Sequence, residues 1–493
     1  MIRNKVILYM CSVFIGIEVI LLVEQQLIMI QRDAVQGSIV KQQTTPVVGT
    51  NGNLSMLRKT TLTIPKYFVP ETLVAKSIQQ LKRENITMLS RPTMKYPWAS
   101  ERLTDFGKKI TERQKKGIDT ENLHTMHLKR PHFSKSARAK RRLDRIQHYC
   151  EVNNVEGKVE RVIVNPQKTV SYCISHKVAS THWLRVFRYL WNDTSTGSVS
   201  SPSKISKIEA HFSRTSKIKE FSFIEPKAKD FILNTSRFMF VREPYIRLWS
   251  VFIDKFVLAD NYFWSYHGPQ IAKVNDLKVL PARRPCYHFS FNHFINYVIS
   301  SSKSYNTMDD HMKPISRLCN PCLLKPDFVG KVETMKNDNE EVLRVLDVNW
   351  EGDKDSVISD RIYDEMKTVI DFNYYIVHTL KLLTACLNTV SVGERILSAF
   401  VLNGYIPESA DKQLRENMPS TKEKLLNMMW KAYQSSNRTH KSVNEQRNRL
   451  RRKAFQLIPL DSLHELQRIY YDDFNLFDYR LDPPEIFYNK SVS

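Results

Sequence analysis

Hydrophobic and polar positions divide the chain into three stretches. An apolar run over residues 6–23, interrupted by Glu18 and followed by Glu24, is near the length that a bilayer core requires. Residues 31–145 are polar, with scattered Pro and Thr and no sustained periodicity, the texture of a largely disordered stem. From Ile146 onward apolar runs alternate with helical patterns, which predicts an α/β domain over 146–485 with strands at the centre and helices around them. Residues 169–174 (TVSYCI) read as a short strand, 175–180 as a turn and 181–191 (THWLRVFRYLW) as a helix. Trp183, Leu184, Phe187, Leu190 and Trp191 recur there at helical spacing, and Ser180 or Thr181 is placed to cap the helix. Residues 237–241 (RFMFV) read as a second strand, followed by Arg242, Glu243 and Pro244 and then a helix from Tyr245. Leu248, Trp249, Phe252, Ile253 and Phe256 give that helix a buried stripe, and Pro244 suits its first turn. Residues 337–459 carry helical patterns rich in charge, including a basic run over 447–453, and are compatible with an insertion in the domain. No internal repeat stands out.

Charge changes the picture. The chain of 493 residues has a formal charge of +23, which favours polyanionic partners such as nucleic acid, anionic lipid or acidic glycans and nucleotides; a merely soluble basic surface is the bland alternative. The basic tract over 129–145 reads equally as a solvated linker or as a contact for an acidic glycan. Arg3 and Lys5 precede the apolar run, so residues 1–30 read as a cytoplasmic tail and signal-anchor transmembrane helix with the bulk lumenal. Glu18 costs that span about 2.5–3.5 kcal/mol. A cleaved signal peptide is the rival reading, although no small-residue cleavage pattern follows. Glycosylation sequons at Asn53, Asn85, Asn192, Asn234, Asn437 and Asn489 permit a lumenal location without requiring it. A nucleic-acid binder explains the charge but neither the anchor nor the sequons.

The seven cysteines are Cys11 in the apolar run and Cys150, Cys173, Cys286, Cys319, Cys322 and Cys386. Six in a lumenal region permit disulfides without giving the pairing. Cys319 and Cys322 have the spacing of half a zinc site, but no second pair and no His pair at finger spacing follow. No metal is expected there.

Both strand–turn–helix elements have the chemistry of anion sites. A helix start offers unpaired N–H groups and the positive end of the helix dipole. In the first turn Lys177 adds a charge, and Ser180 and Thr181 add directional donors. The Gly-rich nucleoside-triphosphate loop signature is absent, which disfavours an ATP-hydrolysing or kinase-type site. In the second, Arg242 stands at the carboxyl end of a strand, where open α/β sheets bind ligands, and a guanidinium grips phosphate with two bonds. Ser250 lies two turns further along the helix. Taken singly, each element is equally an ordinary helix start with a surface cation.

In this order the elements resemble the Golgi carbohydrate sulfotransferases of the chondroitin 4-O-sulfotransferase and HNK-1 sulfotransferase type, sulfotransferase family 2. His176, Lys177, Val178, Ala179, Ser180, Thr181, His182, Trp183, Leu184 and Arg185 stand where that family has approximately PKVACTNWKR. VREPYIRLWSVFIDKF, from Val241 to Phe256, stands where it has VR(D/E)PFERLVSAFRDKF. His311, Met312, Lys313 and Pro314 with Leu318, Cys319, Asn320, Pro321 and Cys322 resemble its HWxP…LCxPC. Residues 327–334 resemble DFVGKxET, and residues 469–479 resemble the terminal YxxDFxxFxY. The departures are His176 for Pro, Ser180 for Cys, His182 for Asn and Met312 for Trp.

The resemblance implies a P-loop-like sulfotransferase fold with a central, mainly parallel sheet flanked by helices. It implies a carbohydrate O-sulfotransferase of the Golgi membrane that takes 3′-phosphoadenosine 5′-phosphosulfate (PAPS) as sulfuryl donor, needs no metal and acts on a glycan or proteoglycan of chondroitin, dermatan or HNK-1 type. Residues 176–182 then hold the 5′-phosphosulfate, Lys177 neutralises the leaving phosphate oxygen, and Arg242 and Ser250 hold the 3′-phosphate. His311, His211 and His182 are the candidates for a general base, with His311 favoured because it sits in a matched block. A non-catalytic glycan-binding protein on the same scaffold is the alternative that the departures leave open.

Overall fold

A computed structural model of the protein describes residues 130–487 apart from 134–135, 195–196, 213–217, 219, 259, 261–262, 278–287, 349–354 and 380–386. The expected anchor, nearly all of the expected stem, Cys11, Cys286, Cys386 and the sequons at Asn53, Asn85 and Asn489 lie outside the described residues. No helix among the described residues is long and apolar enough to cross a membrane.

Helix α1 (Ala137–Val152) opens the packed part, capped by the Ser136 hydroxyl, which accepts from the Ala139 amide. The basic tract expected to belong to the stem is therefore partly helix. Arg142 donates to Asp338 at 2.8 Å and to the Val329 carbonyl at 2.9 Å, so the packed domain starts upstream of residue 146. Strands β1 (Val162–Asn165) and β2 (Val170–Cys173) form an antiparallel hairpin in which Val162 faces Cys173. Helices α2 (Ser180–Leu190) and α3 (Lys207–Phe212), the short strand β3 (Glu220–Phe221) and helix α4 (Pro226–Leu233) follow. Strand β4 (Ser236–Val241) lies parallel to β2 and runs into α5 (Pro244–Phe252), α6 (Gly268–Val274) and α7 (Phe291–Ser301). Strand β5 (Phe328–Lys331) is parallel to β4, and α8 (Met335–Leu346) leaves it.

The strand order is β3-β1-β2-β4-β5. Strand β1 pairs antiparallel with both β2 and β3, so it alone runs against the other four, and β2, β4 and β5 form the parallel part of the sheet. Every residue of β1, β2 and β4 is buried, so these strands carry apolar side chains on both faces rather than at alternate positions only. Tyr172 of β2 stacks on Phe238 of β4 with centroids 5.0 Å apart.

The rest is helical: α9 (Asp355–Thr379), α10 (Thr389–Leu402), α11 (Lys422–Ser435), α12 (His440–Gln456), α13 (Leu460–Ile469) and α14 (Tyr471–Leu476). Residues 337–459 are thus not appended to the surface. Met366, Ile396, Leu397, Leu425 and Phe455 share one buried cluster with Tyr245, Leu248 and Trp249 of α5. Two disulfides, Cys150–Cys322 and Cys173–Cys319, close loops of 172 and 146 residues. Both sulfurs of the Cys319–Cys322 pair are committed to them.

Candidate active site

Both expected turns open at the carboxyl edge of the parallel strands. After β2 the backbone passes through positive φ at Lys177 (65°) and Ala179 (67°), which costs a non-glycine residue about 1–2 kcal/mol each. The residue before the helix is Ala179, with no side-chain cap. Ser180 and Thr181 are therefore the first helical residues and neither caps. The amides of Val178, Ala179, Ser180 and Thr181 reach no acceptor among the described residues, leaving a row of N–H groups at the start of α2. Val178 buries its side chain completely, so only its amide faces outward. The His182 amide is already committed to the Ala179 carbonyl at 3.0 Å.

Helix α5 holds this turn from the other side. Arg242, just after β4, donates from Nη1 to the Lys177 carbonyl at 3.1 Å. The two junctions are therefore in direct contact. Arg247 is 1% exposed and donates to three carbonyls, those of His176 (3.0 Å), Asp310 (3.0 Å) and Lys313 (2.7 Å). Asp254, on the π-helical turn Ile253–Val257 that continues α5, pairs with Lys177 Nζ at 3.0 Å and with Lys255 at 3.4 Å. Arg247, Ser250 and Asp254 are spaced three and four apart and so lie on one side of that helix. Half-buried Ser250 thus sits between the residue that fixes the His176 carbonyl and the one that holds the Lys177 ammonium.

Burial lowers the Lys177 pKa, against the opposing pull of Asp254. Lys177, Lys255 and Lys207 outweigh burial and hold the Asp254 carboxyl well below its usual range. Burial, with Arg447 and Arg451 adding to it and Glu333 opposing, lowers Arg242 to about 10. Two buried polar atoms beside the turn have no hydrogen-bond partner among the described residues: Arg242 Nε and Ser175 Oγ. A free row of amides, an ammonium and an orphaned guanidinium nitrogen at two touching junctions fit two separated anionic groups on one ligand.

The histidines sort differently from one another. His311 has Asp309 Oδ1 2.9 Å from its Nδ1. A carboxylate there fixes the proton on Nδ1 and leaves the Nε2 lone pair to accept another. The other Asp309 oxygen lies 3.7 Å from His267 Nε2, and His267 Nδ1 meets the Tyr297 hydroxyl at 2.7 Å. The His176 ring is turned away from the anion turn: it stacks on His311 at 4.0 Å and meets Arg161 at 3.2 Å. Burial depresses the His311 pKa, with Lys255 and Lys177 adding to the effect against Asp309. His211 meets the Thr181 hydroxyl at 2.9 Å. Withdrawal from water, with Lys207 and Arg185 nearby, lowers it to about 4. His182 is not available as a base or as a side-chain ligand. Its ring is buried, bonded to Asn339 at 2.5 Å, and burial lowers its pKa to about 3.

Sequence reasoning missed Arg247, Asp254 and Asp309. The spacing of Arg247, Ser250 and Asp254 along one helix was a readable signal; the link from Asp309 to His267 was not. The terminal block has a structural task. Asp473 accepts from the amides of Ile315 (2.7 Å) and Ser316 (2.8 Å), fixing the segment that leaves His311. The Tyr479 hydroxyl donates to Glu333 at 2.8 Å.

Comparison with known proteins gives the class. The profile of the Sulfotransferase family matches residues 160–384 and 394–480, and the chain belongs to that family. It is similar to carbohydrate sulfotransferase 11 of Rattus norvegicus, 29% identical over 223 residues, covering 42% of this chain and 61% of the relative. Carbohydrate sulfotransferase 8 of Mus musculus is 32% identical over 190 residues, 38% of this chain and 44% of the relative. Carbohydrate sulfotransferase 9 of Homo sapiens is 31% identical over 196 residues, 38% and 41% respectively. In each case the match spans less than two thirds of the relative's length. No solved structure matches.

Proposed function

We propose that this protein transfers the sulfuryl group of PAPS to a hydroxyl of a glycan in the Golgi lumen, held there by an N-terminal signal anchor. The observation that carries the reading is the bond from Arg242 to the Lys177 carbonyl at 3.1 Å, which brings the two strand-to-helix junctions into contact. Support comes also from the family match, from relatives named carbohydrate sulfotransferases and from two disulfides, which suit an oxidising secretory compartment.

In this reading PAPS supplies an activated sulfuryl group whose displacement leaves negative charge on a phosphate oxygen. The amides of residues 178–181 with the Ser180 and Thr181 hydroxyls hold the 5′-phosphosulfate. Lys177, poised on Asp254, turns its ammonium to the charge that develops on the leaving oxygen. Arg242 and Ser250 hold the 3′-phosphate. His311, oriented by Asp309, accepts the proton of the attacking hydroxyl; His211, next to Thr181, is the second candidate. The chain's formal charge of +23 favours an acidic acceptor of chondroitin, dermatan or HNK-1 type.

The test is transfer of radiolabelled sulfate from PAPS by the full-length chain, made in a secretory host, to a panel of desulfated chondroitin, dermatan and glucuronylated oligosaccharides. Lys177→Ala is expected to lower turnover by about 10²–10³-fold while the protein stays folded. A folded protein that binds PAPS yet sulfates no acceptor, or a Lys177→Ala variant as active as wild type, refutes the assignment.

A further inference from the structure

Helix α12 crosses the start of α5. Its Phe455 packs edge-on against Tyr245, the second residue of α5, with centroids 5.4 Å apart, and against Phe291 at 4.8 Å. Arg447, Arg451 and Phe455 are each four residues apart, so they share one side of α12. With Phe455 pinned on Tyr245, Arg451 lies one turn and Arg447 two turns along a face that runs beside the Arg242–Glu243 junction. The charges of Arg447 and Arg451 both act on Arg242, and Glu243, Glu485 and Glu333 all act on Arg451.

Arg451 is unlike its neighbours in the basic run. It is 7% exposed, its Nε has no hydrogen-bond partner, and it makes no ion pair among the described residues. Arg447 is held by the Asn403 carbonyl at 2.8 and 3.1 Å, and Arg449 pairs with Glu408. Arg451 forms no ion pair with any of the acids that act on it, and two of them are spent elsewhere. Glu243 accepts from the amides of Tyr245 and Ile246; Glu333 accepts from the Tyr479 hydroxyl and the Glu243 amide. A guanidinium nitrogen withdrawn from water without a bonded partner is costly, and here a second arginine, Arg242, is also left with an orphaned Nε. A dianionic phosphate monoester between them satisfies both at once.

We propose that Arg451 is the second arginine of the 3′-phosphate subsite, gripping the ribose phosphate of the donor together with Arg242 and so setting the preference for 3′-phosphorylated nucleotides. The inference rests on the donor reading above and adds a residue from a helix that no motif marks. Arg451 is a binding residue, and the run over 447–453 contains it because one arginine of a basic helix is turned inward.

The experiment is calorimetric titration of the full-length protein with 3′,5′-ADP and, separately, with 5′-AMP. Wild type is compared with Arg451→Met, which keeps the volume, and Arg451→Lys, which keeps the charge. Wild type is expected to prefer 3′,5′-ADP. Arg451→Met is expected to lose about 10–100-fold of affinity for 3′,5′-ADP with 5′-AMP nearly unchanged, and Arg451→Lys to fall between. The ratio of the two affinities is taken within each variant, so a smaller folded fraction cancels. A selective wild type whose ratio survives Arg451→Met overturns this inference alone. A wild type that binds both nucleotides alike overturns the donor reading and the inference with it.

Discussion

Arg247 is the sharpest single test of how the cleft is built. Its guanidinium donates from three nitrogens to the carbonyls of His176, Asp310 and Lys313, tying the turn of Lys177 to the segment carrying His311. Arg247→Lys keeps the charge, but an ammonium on a flexible stem cannot span three fixed carbonyls. With one bond retained, two charge-assisted bonds are lost in a site that is 1% exposed. At about 1.5–3 kcal/mol each, and allowing for partial relaxation, the loss is about 3–5 kcal/mol. That corresponds to a fall in melting temperature of roughly 5–10 °C for a domain of this size. The lost register between Lys177 and His311 adds a drop of about 10²-fold in turnover. Calorimetry and sulfate transfer at saturating donor measure both. A variant within about 2 °C of wild type, at full turnover, refutes the view that Arg247 fixes the cleft.

Two pH experiments follow. His311 must be neutral to accept a proton, and burial holds its pKa below the ordinary 6.5. Activity is therefore expected to stay level down to that pH and fall only below it. Asp309→Asn removes the group that raises this pKa, so the acid limb moves to lower pH while turnover falls by about 10²-fold; an unmoved limb removes His311 from the role of base. His182 is buried neutral, its pKa lowered from 6.5 to about 3. The stability this contributes is present above pH 6.5 and is lost as pH falls toward 3, with a limiting slope of about 1.4 kcal/mol per pH unit. Denaturant unfolding at several pH values is expected to show a shallower acid slope for His182→Asn than for wild type; parallel curves refute the reading.

Much of the site was legible because it is local. A strand, a turn of small and charged residues and a helix start are contiguous in sequence. Residues 169–191 and 237–256 announced β2 with α2 and β4 with α5 to within a residue or two. What failed was long-range. Whether β1 runs with or against β2 depends on a tight hairpin, and β3 is two residues long, too short for any periodicity. The inward turn of His182 depends on Asn339, 157 residues away. The charges of α1 looked like a solvated tract because the Asp338 that receives Arg142 lies 196 positions downstream. Arg451 was hidden for the opposite reason: in a run of five arginines and lysines, sequence does not say which one faces in.

The paired cysteines carry a practical corollary. Cys319 and Cys322 anchor the segment beyond His311 to two distant places, the end of β2 and helix α1. By the chain-entropy relation a closure of 172 residues is worth about 5 kcal/mol, comparable to the whole net stability of many domains. Protein harvested from a thiol-rich bacterial cytoplasm would lack both fastenings. Inactivity in such a preparation would speak to how it was grown rather than to the chemistry of the cleft.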